Sequence, residues 1–202
     1  RMDGSSGTWK LRVKTPGTNE QSLVREGATI CSRCYATGGN FAYANNQTAE
    51  IIRYWWLRRH LADGKMDWLV GIIVDAFGGL QLRRDRHGIR PFRLHDSGDF
   101  FSYDYAEMWC RVADQLAVTM PDVVIWAPTR TWAQGGWNEF WARRLPTLRS
   151  IQTTGRSNFT VRASGYNFGD AAPGALSPTN AKGSTSLFKP SAKVPDEFKN
   201  RT

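Results

Sequence analysis

Cysteine is scarce in this chain. Only three occur in 202 residues, with a single close pair, which excludes the disulfide framework of a small secreted domain and points to reduced thiols. No apolar run approaches the roughly 18 residues of a membrane-spanning helix, and the opening RMDGSSGTWKLRVK contains no signal-peptide apolar core. The expectation is a cytoplasmic protein without membrane association. Acidic residues are also in deficit, 18 Asp and Glu against 27 Lys and Arg, for a formal charge of +9. Such an excess favours polyanionic partners such as nucleic acid or phosphorylated metabolites, although a merely basic protein carries the same charge.

What is present is enough for one sizeable core. Hydrophobic residues make up 41% of the chain and aromatics 12%, including nine tryptophans, so general disorder is excluded and a single domain is expected over 1–202. Residues 1–44 read as a polar arm holding a C-x-x-C loop, 45–165 as an α/β core, and 166–202, rich in Gly, Pro, Ser and Asn, as a loop-dominated tail. Within the core, QTAEIIRYWWLRRHLADG follows the N-cap candidates Asn45 and Asn46 and carries Ile51, Ile52, Trp55, Trp56 and Leu61 at helical spacing. A second helix, MDWLVGIIVDAF, stops at Gly78-Gly79. Then come a strand in RPFRLHD, a helix in SYDYAEMWCRVADQLAV with Ser102 as N-cap, a strand in DVVIWAPTR, a helix in WNEFWARRLPTLRS interrupted at Pro146, and a strand in NFTVRAS. This β-α-β-α-β order implies right-handed crossovers and a parallel sheet, either open or a partial (β/α) barrel.

In parallel α/β folds the ligand crevice lies at the carboxyl ends of the strands, where the βα loops and helix N-termini converge. That edge is unusually polar here. The first strand runs into His95, Asp96, Ser97, Gly98 and Asp99; the second into Thr129, Arg130 and Thr131; the third into Arg162 and Ser164. Asp96 and Asp99 suit acid, base or binding work and His95 can assist them, so these three are the candidate catalytic residues. Ser97, Gly98, Ser102, Thr129, Arg130 and Ser164 are the candidate ligand contacts: Gly98 permits a sharp turn, Ser102 opens a helix whose free N–H groups favour an anion, and Arg130 is a fixed cationic fork. Each also has a structural reading, as a satisfied histidine, a capped turn, or an Arg130 paired with Asp96 or Asp99.

Cys31 and Cys34, in ICSRCYATGGNF, have the spacing that lets two thiolates reach one metal or cluster, or form a redox disulfide. They are the candidate metal ligands, for zinc or an iron–sulfur cluster, but no second C-x-x-C or C-x-x-H completes the set. Cys110, beside Trp109 in a helix, reads as buried. Aromatic and basic residues interleave in RYWWLRRH and TRTWAQGGWNEFWARR. A nucleic-acid surface would have that pattern; the simpler reading is two amphipathic helices with tryptophan in the core and arginine outside.

Taken in order, GTWK, ICSRCYATGGNF, FRLHDSGDFFSYDYAEMW, VVIWAPTRTW, NFTVRAS and AKGSTSLF resemble a phage-encoded domain family known by a mycobacteriophage gene-product label, whose activity is unassigned. The resemblance implies a phage protein working in the host cytoplasm. Members of that family carry further cysteines before the C-x-x-C and in the tail, which this chain lacks. More distantly, SGDFF resembles the Gly-acidic turn of radical S-adenosylmethionine barrels, although the cysteine their triad requires is replaced by Gly27. DSGDF is similar to the turn of guanine transglycosylases, which would give Asp96 the chemical role at a base-exchange site. Two functional readings stand. One is an enzyme-like crevice acting on a nucleic-acid base or nucleotide; the other is a non-catalytic protein binding nucleic acid or a host or virion partner.

Overall fold

A computed structural model describes residues 43–95, 98–149, 157–165 and 173–176 with their side chains, and the backbone of 9–13 and 21–25. In the N-terminal region β1 (Trp9–Val13) pairs antiparallel with β2 (Gln21–Arg25), Trp9 opposite Arg25 and Val13 opposite Gln21. Part of what the sequence suggests as an irregular arm is therefore a two-stranded ribbon. The remainder is α1 (Ala44–Ala62), α2 (Met66–Gly79), β3 (Arg90–Arg93), α3 (Tyr103–Thr119), β4 (Val123–Thr129), α4 (Trp137–Arg144) and β5 (Phe159–Ala163). β3, β4 and β5 form a parallel sheet in that order, with Arg93 beside Trp126 and Trp126 beside Thr160. The α/β class and the parallel βαβαβ core read from the sequence are the fold that forms.

The local causes are mostly those the sequence offers. Ser102 caps α3, its hydroxyl accepting from the Tyr105 N–H at 3.2 Å, and α4 stops at Arg144 because Pro146 can only continue as a short 3₁₀ turn, Leu145–Thr147. β4 alternates strictly, with Val123, Ile125, Ala127 and Thr129 buried and the residues between them half-buried. Those buried positions meet Met108, Val112 and Leu116 of α3, Phe77 of α2 and Trp141 of α4 in one core. Asn158, fully buried before β5, donates to the Ala113 carbonyl of α3 at 2.9 Å and so pins the sheet to that helix. Arg90 grips Asp122 through two bonds of 2.8 and 2.7 Å, closing the amino-terminal end of β3 onto β4.

The structure corrects α1 in two respects. It begins at Ala44 after Tyr43, with no side-chain cap, so Asn45 and Asn46 lie within its first turn. Its orientation also differs from the simpler sequence reading. Trp55 and Trp56 are 58% and 45% exposed, and Ile51 and Ile52 are exposed with them, whereas Leu61 is buried and Leu57 packs against the core. Ile52, Trp55, Trp56 and Arg59, at i, i+3, i+4 and i+7, make one outward stripe. In TRTWAQGGWNEFWARR the simpler reading holds, with Trp137 and Trp141 buried.

Candidate functional site

The carboxyl edge of the sheet gathers most of the residues the sequence singles out. β3 ends at Arg93, earlier than RPFRLHD suggests, so His95 lies in the following turn, while Asp96 and Ser97 lie outside the described residues. Gly98 is exposed with φ 85°, the left-handed geometry that suits glycine. Asp99 then turns inward against the end of β4. Its Oδ1 accepts from the Thr129 hydroxyl at 2.7 Å and from the Phe100 N–H at 2.8 Å, and its Oδ2 accepts from the Arg130 N–H at 2.7 Å.

Behind Asp99 lies a chain whose direction can be assigned. The Trp141 indole N–H can only donate, and it reaches the Thr131 hydroxyl at 3.3 Å. Thr131 is 2.8 Å from the Thr129 hydroxyl, whose own proton is given to Asp99, so Thr131 must be the donor there. Every proton in the series points toward the carboxylate, an arrangement that favours its ionised form. Burial opposes this more strongly and raises the Asp99 carboxyl above its ordinary value, with the bonds from Arg130, Thr129 and Phe100 acting to lower it.

His95 is the other unusual group. Its φ of 60° is left-handed, uncommon for a residue with a side chain. Nε2 lies 3.1 Å from the Tyr105 hydroxyl, the ring packs edge-on against Phe100, and Nδ1 is buried with no hydrogen-bond partner among the described residues. Burial lowers the imidazole to about 4 and pushes the Tyr105 phenol up to about 12, so both are neutral at pH 7.

Arg130 meets Asp99 through its backbone N–H. Its guanidinium Nε donates to the Gly165 carbonyl at 3.1 Å. Ser164 joins the edge through its backbone, its N–H donating to Thr129 O at 2.8 Å and its carbonyl accepting from the Trp132 indole at 2.8 Å. Arg162 sits away from this cluster, exposed in the alternating pattern of β5. Tyr105 and Trp141 are the members that strand-end reasoning misses, since both come from helices. Only Tyr105 leaves a local signal, three residues after the Ser102 cap.

With this geometry in place the comparisons can be read. A family model, Gene product 88, matches residues 20–185, most of the chain. The chain belongs to the Gene product 88 family. No curated protein and no solved structure matches it. Membership in this phage gene-product family agrees with the resemblance carried by the C-x-x-C, HDSGDFFS and WAPTRTW segments, and the family label assigns no reaction.

Cys31 and Cys34 lie outside the described residues. Two thiols are half of a four-ligand zinc or cluster site. The third, Cys110, is fully buried in the core, and burial pushes its thiol up to about 12. Among the described residues no three His, Cys, Asp or Glu side chains converge where a metal could be held. No described helix is long and apolar enough to cross a membrane.

Proposed function

We propose that the carboxyl edge of the sheet receives a nucleic-acid base or nucleotide. The observation that carries this is His95: a strained, neutral imidazole whose buried Nδ1 lacks a described partner, held beside a fully bonded Asp99. Left-handed backbone at a non-glycine residue costs of order 1–3 kcal/mol and concentrates at functional sites, and a buried ring nitrogen without a partner is a place for a ligand's polar edge. Asp99, with both oxygens engaged, acts as a positioning residue that fixes the turn to β4. The free acid–base role falls to Asp96, next to His95 in the chain, and Arg130 adds positive charge at the same edge. Calorimetric titration of the purified chain with free nucleobases and nucleoside monophosphates tests the reading. Binding that Asp96→Asn and His95→Ala abolish, with the melting temperature retained, supports it; absence of binding by the unsubstituted chain sinks it.

The full engagement of Asp99 favours a second reading, a binding protein without turnover. In that case the ligand binds unchanged, and chromatography of the incubated nucleotide returns starting material only. A metal at Cys31 and Cys34 is a separate question, answered by elemental analysis and the absorption spectrum of anaerobically purified protein.

A further inference from the structure

The order β3-β4-β5 advances in one direction across the sheet. Two successive right-handed crossovers in one direction place α3 and α4 on the same face. Burial follows this geometry: Val123, Ile125 and Ala127 of β4 and Phe159, Val161 and Ala163 of β5 are sealed against the helices, and Phe92 of β3 meets Phe77 of α2. Parallel sheets are ordinarily covered on both faces. Here the opposite face, formed by Pro91, Arg93, Val124, Trp126, Pro128, Thr160 and Arg162, is half-buried or exposed at every position and receives no described helix.

Its chemistry is uneven. The seven positions carry two arginines and an indole and no carboxylate. The Arg93 guanidinium lies over the Trp126 ring, 5.0 Å from its centroid, and Trp126 is aligned with Arg93 on one side and Thr160 on the other. Arg162 is two residues beyond Thr160 on β5, a diagonal neighbour of Trp126 at about 7–8 Å between backbones. One guanidinium thus lies over the aromatic ring, and a second, exposed arginine stands diagonally across the same face. Proteins that hold single strands use this combination, an aromatic surface for the bases and fixed cations for the phosphates.

We propose that this sheet face, which no described helix covers and which is centred on Arg93, Trp126 and Arg162, binds single-stranded nucleic acid, a base stacking on the Arg93–Trp126 pair and phosphates meeting the two arginines. The choice of occupant rests on the reading of the strand edge given above and adds to it where the rest of the strand lies. Charge argues for the same occupant, since the face is wholly cationic on a chain of net charge +9.

The test is fluorescence anisotropy of the full chain with a labelled oligodeoxythymidylate about 15 nucleotides long. Binding should weaken with salt. Arg93→Ala with Arg162→Ala should reduce affinity at least tenfold and lower the slope of log K against log salt by about 1.4, the contribution of two phosphates on a single strand. Trp126→Leu, or Trp126→Phe if the leucine variant misfolds, should reduce affinity without changing that slope. Arg86→Ala, an exposed cation before β3, should leave both unchanged. Wild-type affinity and slope in the double variant would overturn the proposal, as would no binding by the unsubstituted chain, or equal losses in Arg86→Ala. A dimer in sedimentation that the double variant dissolves would overturn it too, by giving the face to a second copy. Titrating the same samples with free nucleobases separates the two readings: if nucleobase binding is absent but the oligonucleotide effects hold, the edge reading fails and this face stands; the reverse pattern removes this face alone.

Discussion

Asp99 shows how a residue chosen from sequence for its chemistry can be occupied by architecture. Three donors converge on its carboxylate, two of them from the end of β4, so replacing it removes the tie between the turn and the strand. Asp99→Asn swaps an acceptor for an amide donor and forces one N–H or O–H to face another; the expected loss is roughly 1–3 kcal/mol in denaturant unfolding. His95 predicts a pH effect. Its folded value, about 4, lies below the ordinary 6.5, so its contribution is complete above 6.5 and is lost as pH falls toward 4, by on the order of 2–3 kcal/mol. Asp99 has the opposite sign. Its raised value gives stability at low pH that declines as pH rises from 3.8 through the folded value. Comparing melting temperatures of the unsubstituted chain and His95→Asn between pH 7 and 4 isolates the histidine component, since asparagine accepts left-handed backbone; parallel curves would contradict it. The polarity of HDSGDFFS is legible in the sequence. Which polar atoms are spent on neighbours is not, because the donors Thr129 and Arg130 arrive from thirty residues away.

At the scale of elements, breakers and the Ser102 cap read directly, while the α1 cap and the helix faces do not. Ser102, Pro146 and the glycines at the end of α2 end or begin helices for reasons confined to a few residues. Gly136 is another such point: with φ 79° it opens α4, and a Cβ there would fall 2.5 Å from the Tyr103 hydroxyl, which donates to the Gly135 carbonyl. Gly136→Ala should cost about 1–3 kcal/mol in thermal unfolding. α1 is the instructive failure. Its Ile and Trp residues have amphipathic spacing, yet the helix turns Leu57 and Leu61 inward and that stripe outward. Trp68 of α2, 49% exposed, stacks with His60 on the same surface. Trp55→Ser should therefore shift stability by no more than about 0.5 kcal/mol, whereas Leu69→Ala, in the core, should cost about 2–5 kcal/mol. A large loss in the tryptophan variant would reverse this assignment of faces. Periodicity reports that a helix has two faces; the neighbouring elements select the buried one.

Across the whole molecule, β4 is the organising strand, bonded on both sides by β3 and β5. Its amides at Ile125 and Ala127 should exchange with solvent only through global unfolding, and those of α1 much sooner, in native-state hydrogen exchange. The polyanion-binding test above belongs to this scale as well, since a face that no described helix covers follows from both crossovers running the same way. The sequence by itself determined the element types and their order from α1 to β5, the parallel sheet and the polar character of the strand ends, since each of these follows from short-range periodicity, turn chemistry and the length of the connections. Tertiary structure alone decided that Asp99 is consumed by β4, that His95 is buried and neutral, that the α1 tryptophans face outward, and that Arg93, Trp126 and Arg162 share one face. These depend on which distant segments meet, and burial and hydrogen bonding between segments far apart in the chain leave no local pattern to read.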